Sequence, residues 1–362
     1  MKIDLFNNIV PEEKLNRNFI TIKEQKGYSA ARVVINEIYN SQKPIDNHFV
    51  QQFQTTGFNS RIWELYLLAV FQEQNFLIER KHDRPDFELI KDKDKIFIEA
   101  VTTNPSFNQE IIDKLEVMKE IKEENFEEFI YKLRDESTIR IAGALYNKLR
   151  ESYWDLDWVK DNPIILAIEP FHHSLAHWLS DSNLIGYLYG FHNQWHHDEK
   201  GKLIIETCEQ KEHKTERKTI PSNFFSIENS ENISAVMFSN SGTISKFNRI
   251  GKLKGYCDSS IRMLRVGQMY NPDPNSAFPI LFKYFVGENG PSENWSQGIS
   301  MYHNPNAKYP INRELFPWIL HGYFDNKFYS YIPDFFPIQS ETYIMVTREN
   351  EDKKDSNNYN PP

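Results

Sequence analysis

Residues 84–103 read RPDFELIKDKDKIFIEAVTT, and this stretch decides the fold. Two runs rich in β-branched and aromatic residues, Phe87–Ile90 and Ile96–Thr103, flank the polar turn Lys91–Asp94. Strand-like runs joined by so short a connection form a hairpin. Side chains of a strand alternate between faces, so Phe97, Glu99 and Val101 share one face, and Ile96, Ile98 and Ala100 share the other. Glu99 therefore sits between apolar neighbours, where a carboxylate is costly to bury unless it is paired or metal-bound. Asp86 opens the other strand, directly after Pro85. The hairpin can bring the two carboxylates together.

Working outward, SRIWELYLLAVFQEQ has a helical apolar pattern that begins at Asn59 or Ser60 as N-cap and carries Glu64. FLIERKH, before the hairpin, reads as a short strand. After it, the pattern predicts a helix from about Phe107 to Ile121, an acidic helix to about Arg134 and an amphipathic helix over Ile139–Tyr153. A buried strand follows at Pro163–Ile168, then a helix over Ser174–Tyr189. This order of helix, three strands, helix and strand is α/β. Residues 1–55 form a helical N-terminal segment, with Ala30–Tyr39 as its clearest helix. Beyond a charged stretch within 195–220 the texture changes to short apolar runs separated by Asn, Gly and Pro. We read residues 56–200 as one domain, 201–348 as a β-rich second region and 349–362 as a disordered tail.

A content of 40% hydrophobic and 26% charged residues is that of an ordinary globular protein. No apolar run approaches the ~18 residues that a membrane span needs. The N-terminal MKIDLFNNIVPEEK lacks the basic and apolar regions of a secretory signal. Cys208 and Cys257 lie far apart, so a disulfide framework is not expected and a reducing cytoplasm is the expected compartment. P-loop, GxGxxG and GxSxG signatures are absent. The net charge of -9 obliges any nucleic-acid reading to find a local basic patch.

Glu64, Asp86 and Glu99 supply hard oxygen donors of the kind that suit Mg²⁺ or Mn²⁺. Helix Glu, Pro-Asp and strand Glu in this order resemble the PD-(D/E)xK, or restriction-endonuclease-like, nuclease superfamily. Pro85-Asp86 matches its first motif, Glu99-Ala100-Val101 its second and Glu64 its helix acid, over about residues 59–170. The resemblance implies a restriction-endonuclease-like core and a metal-dependent phosphodiesterase acting on DNA, less often on RNA. It also implies a homo-oligomer or a protein partner, since one metal site cuts one strand. By the same analogy the chain belongs to a bacterial defence or genome-maintenance system. The departure is Val101, which stands where the superfamily usually has lysine. Lys148 can replace that lysine from the helix at Ile139–Tyr153, helped by Arg140 at i−8; Lys81 is a weaker alternative. The other outcome is a nuclease fold that has lost its chemistry and keeps only binding. Glu169, at the end of the later strand, is an optional fourth acid.

Thr243–Gln268 holds the basic patch that the net charge demands. Lys246, Arg249, Lys252, Lys254, Arg262 and Arg265 interleave there with Phe247 and Tyr256, as a phosphate and base-stacking surface would. Lys211–Lys218 is more mixed in charge and reads as a linker. His173/His177 and His192/His196 are spaced i, i+4, as zinc ligands on a helix face can be. The absence of HExxH leaves a zinc hydrolase without its base. The aromatics Trp318, Phe324, Tyr329, Tyr331, Phe335 and Phe336 read as core of the second region or as a subunit interface.

Overall fold

The computed structural model describes residues 2–42, 48–105, 116–117, 119 and 125–347. Alternation within the strands sets the architecture. Ile96 and Ile98 of one strand, Ile165 and Ala167 of its neighbour, and Ala235 and Met237 of the next enter one hydrophobic core. Phe97 and Val101, Ile164 and Leu166, and Val236 and Phe238 enter a second core on the opposite face. A sheet apolar on both faces must be covered on both, so the fold is a mixed α/β layered structure.

The strands are β1 (Leu77–Glu79), β2 (Phe87–Lys91), β3 (Asp94–Thr103), β4 (Ile164–Pro170), β5 (Phe191–His197), β6 (Leu203–Glu209), β7 (Glu212–Lys214), β8 (Thr219–Pro221), β9 (Ala235–Ser239), β10 (Ile261–Met269), β11 (Ile280–Phe285), β12 (Ile299–His303), β13 (Leu320–Asp325), β14 (Lys327–Tyr331) and β15 (Pro337–Val346). The α-helices among the described residues are α1 (Arg17–Glu24), α2 (Ser29–Asn40), α3 (Phe49–Gln54), α4 (Phe58–Glu73), α5 (Phe126–Leu149), α6 (Ser182–Tyr189) and α7 (Ile244–Leu253). None of them is long and apolar enough to cross a membrane.

Eight strands form one sheet in the order β1-β2-β3-β4-β9-β12-β13-β14. The expected hairpin is β2–β3, with Lys91 opposite Asp94. Asp92 takes φ 54° in its turn, a left-handed conformation that Asp tolerates better than most residues. β3, β4 and β9 run parallel, and β12 returns antiparallel to β9. The boundary expected near residue 200 does not divide this sheet. β9 from beyond it is hydrogen-bonded to β4 from before it, and Ala167 pairs with Met237. A second sheet has the order β11-β10-β15, while β5–β6 and β7–β8 are separate hairpins.

Several expected elements differ. The helices expected to end near Arg134 and to restart near Ile139 are one helix, α5. Thr138 donates its hydroxyl to the Arg134 carbonyl one turn back, a bond compatible with continuous helix, and no proline intervenes. The helix expected over Ser174–Tyr189 is instead a 3-10 turn at Ala176–Trp178 followed by α6, which Gly190 ends at φ 77°. The helix expected from about Phe107 to Ile121 lies outside the described residues except for Glu116, Val117 and Lys119, and the expected tail from Glu349 lies wholly outside them. The N-terminal helices are not a separate appendage. Phe19, Val34 and Phe53 belong to the same core as Ile98 and Ile165 of the sheet.

Candidate functional site

Glu99 is positioned by strand alternation and Lys148 by helix periodicity. On α5, Ile141, Leu145 and Leu149 pack into the core that also holds Phe97 and Val101. Lys148 flanks that apolar stripe, so its side chain starts buried and reaches back to the sheet. Its Nζ lies 2.7 Å from Glu99 Oε1 and 2.9 Å from Glu151 Oε1. Tyr153 completes the group: its hydroxyl donates to Glu151 Oε2 at 2.6 Å and accepts from Lys148 at 3.3 Å. Val101, only 4% exposed, packs into the core beside Phe97. Glu99 thus has a cationic partner on the helix facing its strand.

Asp86 stands at the head of β2, and its Oδ2 accepts the Ala100 N–H at 2.7 Å, one residue beyond Glu99. Burial pushes its carboxyl well up, and the charges of Glu99 and Glu64 push it further, against the Ala100 hydrogen bond and the Lys148 charge. Glu64, on α4, pairs with Arg61 at 2.8 Å. Three carboxylates from α4, β2 and β3 therefore share one electrostatic neighbourhood. Burial tends to lower Lys148, but its ion pairs with Glu99 and Glu151 dominate and raise it, so the ammonium form is held. Burial likewise drives the Tyr153 phenol well above its ordinary value, reinforced by Glu99 and Glu151.

Arg80 joins this neighbourhood and the sequence reading passes over it. Burial lowers its pKa, which the charges of Glu64 and Asp86 oppose, and its guanidinium lies 4.7 Å from the centre of the Phe87 ring. Nothing distinguishes it in the charged run ERKHDR. Arg61, also unselected, was legible as the i−3 partner of Glu64. Glu151 and Tyr153 follow Lys148 at the helix end and had no signal of their own.

Other expected residues fall elsewhere. Arg140, two helical turns before Lys148, adds its charge to the burial that lowers the pKa values of His172 and His173. Lys81 pairs with Glu79 at the surface. Glu169 is fully buried on β4, with His177 Nε2 at 3.5 Å, and burial raises its carboxyl. In the register it lies opposite Thr102 and not opposite Glu99. The i, i+4 histidines share no helix face. His173 precedes a 3-10 turn and His177 lies within it, and the Nδ1 of His173 accepts the Leu175 N–H. His192 and His196 lie on β5, an exposed strand on which four residues span roughly 13 Å.

The expected basic surface is corrected most sharply. Lys246, Arg249 and Arg265 are no more than 2% exposed and converge on buried Glu293 at 3.0, 2.8 and 3.3 Å. Phe247 is core. Lys252 donates to the Ile261 carbonyl, Lys254 pairs with Glu37, to which Tyr256 also donates, and Arg262 pairs with Glu288. Half of the six cations thus neutralise an interior acid, since buried charges must be paired. Of the rest, Lys254 and Arg262 are each paired with an acid at the surface. Among the aromatics expected as core or interface, Phe324 and Phe336 pack into the second core, while Trp318, Tyr329 and Tyr331 are exposed.

Among the described residues no three His, Cys, Asp or Glu side chains are grouped so as to hold a metal ion by themselves. A magnesium site needs only one or two carboxylates, with water and phosphate oxygens completing the shell. The all-oxygen, mutually repelling set of Asp86 and Glu99 has that chemistry. No family model matches this chain, and neither a curated protein nor a solved structure has significant similarity to it.

Proposed function

We propose that this protein is a metal-dependent nuclease that hydrolyses phosphodiester bonds, in DNA before RNA, built on a restriction-endonuclease-like core. The observation that carries this reading is the contact of Lys148 with Glu99, beside an Asp86 whose carboxyl is pushed up by burial and by two other acids. Asp86 and Glu99 would hold Mg²⁺ or Mn²⁺, with Glu64 nearby, and the ion would supply Lewis-acid stabilisation of charge at the phosphate. Lys148 keeps a full positive charge at the same carboxylate and can orient a water and offset charge on the scissile phosphate. Arg80 adds a second fixed cation on the Asp86 side. A role in bacterial defence or genome maintenance in the cytoplasm belongs to the same reading.

One observation favours a second reading, a nuclease fold kept only for binding. Glu99 and Glu64 are already paired internally, with Lys148 and Arg61. Supercoiled plasmid incubated with purified protein in Mg²⁺, Mn²⁺ or EDTA separates the two. The nuclease reading predicts metal-dependent nicking that falls at least about a hundredfold in Asp86→Ala and Glu99→Ala, the scale of losing a catalytic electrostatic group. Cutting that is equal in the variants, or absent with every metal on both DNA and RNA, sinks it and leaves the binding reading.

A further inference from the structure

The connection between β1 and β2, residues 80–86, leads directly into the carboxylate site, because it ends on Asp86. It carries three cations, and each has a different fate. Arg80 is turned inward, where it feels the charges of Glu64 and Asp86. Lys81 is paired with Glu79. Arg84 is exposed, and among the described residues its side chain forms no ion pair or hydrogen bond. Its charge reaches Glu151, the second partner of Lys148. An unpaired guanidinium therefore stands two residues from Asp86, at most ~7 Å away along the backbone.

His82 lies in the same connection. Its imidazole stacks on the Trp158 indole, with ring centres 4.2 Å apart and planes 11° from parallel. Trp158 is held at three points. Its Nε1 donates to the Arg84 carbonyl at 3.0 Å, its own carbonyl accepts from Lys95 at 3.4 Å, and it packs against the core that contains Phe97 and Val101. His82 has no comparable anchor. It is half-buried, and among the described residues its ring makes no hydrogen bond and meets no ring other than Trp158. A fixed indole thus presents an imidazole at the edge of the carboxylates, beside a cation with no partner of its own.

These are the two elements that grip a nucleotide outside a duplex. An aromatic ring takes a base by stacking, whatever its sequence, and a guanidinium takes the adjoining phosphate. The net charge of -9 leaves little general attraction for phosphates, so stacking must carry a larger share of the affinity. In a duplex each base is already stacked and paired. It reaches a protein ring only after it is extruded, at a cost that a single strand escapes.

We propose that His82, stacked on Trp158, and Arg84 hold an unpaired nucleotide beside Asp86 and Glu99, so that this site takes single-stranded nucleic acid in preference to duplex. The inference rests on the nucleic-acid reading of the carboxylate site and names the form of strand that it accepts.

Fluorescence anisotropy of a labelled mixed-sequence oligonucleotide tests it with the full chain, in EDTA and again in Ca²⁺. The oligonucleotide is used as DNA and as RNA, single-stranded and annealed. The parent binds a single strand more tightly than the duplex. His82→Ala weakens single-strand binding about tenfold, the scale of one lost base–aromatic stack, and leaves duplex binding nearly unchanged. His82→Phe, which keeps a ring, retains the parent affinity. Arg84→Gln flattens the dependence of log affinity on log salt by about 0.7, the value for one phosphate contact on a single strand. A thermal melt of each variant beside the parent shows that folding is intact. Equal binding of single strand and duplex overturns the proposal. So does the absence of single-strand binding in both buffers, or a His82→Ala variant that binds as the parent does. A protein that nicks plasmid with metal yet gives any of these results remains a nuclease, with a different substrate preference. One that binds single strands through His82 and never cuts keeps this site and loses the nuclease reading.

Discussion

Lys148 and Glu99 illustrate what one residue can demand of its surroundings. A carboxylate held between Phe97 and Val101 requires a cation, and α5 brings one to 2.7 Å. Lys148→Met strands that charge and is expected to cost about 1–3 kcal/mol in urea unfolding, the range for losing a charged hydrogen-bond partner. Adding Glu99→Gln should recover part of the loss, and equal stability of the single and double variants would refute the coupling. Asp86 makes the opposite prediction. Its folded pKa lies well above the ordinary 3.8, so the native state keeps a proton that the unfolded chain releases. Stability is therefore lost as pH rises from the unfolded value through the folded one. In EDTA, Asp86→Asn should melt above the parent at neutral pH, by roughly 1–2 °C for each kcal/mol recovered. That gain should vanish below the unfolded Asp value, and a variant no more stable than the parent at neutral pH would show that Asp86 is not strained by its neighbours. If Asp86 holds Mg²⁺, the parent's melting temperature also rises with added Mg²⁺ and that of Asp86→Asn does not.

At the scale of elements, close approach decides more than propensity does. α7 and α2 meet where Asn248 accepts the Ala31 N–H and donates to the Gly27 carbonyl. A Cβ at Gly251 would lie 2.6 Å from the Ala30 carbonyl oxygen. Gly251→Ala should therefore cost about 1–3 kcal/mol despite the higher helix propensity of alanine, as overpacking does. A thermal melt unchanged or raised by the substitution would show that the two helices can separate at no cost. This contact was hidden in the sequence, where Gly251 lies within the basic patch Thr243–Gln268. The hairpin β2–β3 was legible because alternation and a polar turn are local signals. The continuity of α5 was less so, because an acidic run and an amphipathic run share no single pattern.

Across the whole molecule, β9 lies between strands from both halves of the chain. Its side chains Ala235 and Met237 enter one core, and Val236 and Phe238 enter the other. A chain ending at residue 200 would expose both faces of β4 at that edge and lose the partners of its backbone groups. Residues 1–200 expressed alone should be aggregated or unfolded, and the full chain should melt in a single transition by circular dichroism. Two resolved transitions, or a folded 1–200 fragment, would show that the boundary is a real one.

The sequence by itself determined the α/β class, the β2–β3 hairpin and the face on which Glu99 stands, because period-two and 3.6-residue patterns act over a few residues. It also held the candidate cation at Lys148, whose helix had to cover that face. Only the tertiary structure decided which charges are paired inside. Lys246, Arg249 and Arg265 look like a solvent-facing patch until Glu293, 28 residues beyond Arg265, meets all three. It also decided that both halves share one sheet, through pairings such as Ala167 with Met237. The reason is physical: burial and ion pairing depend on neighbours distant in the chain, whereas periodicity depends on neighbours next to one another.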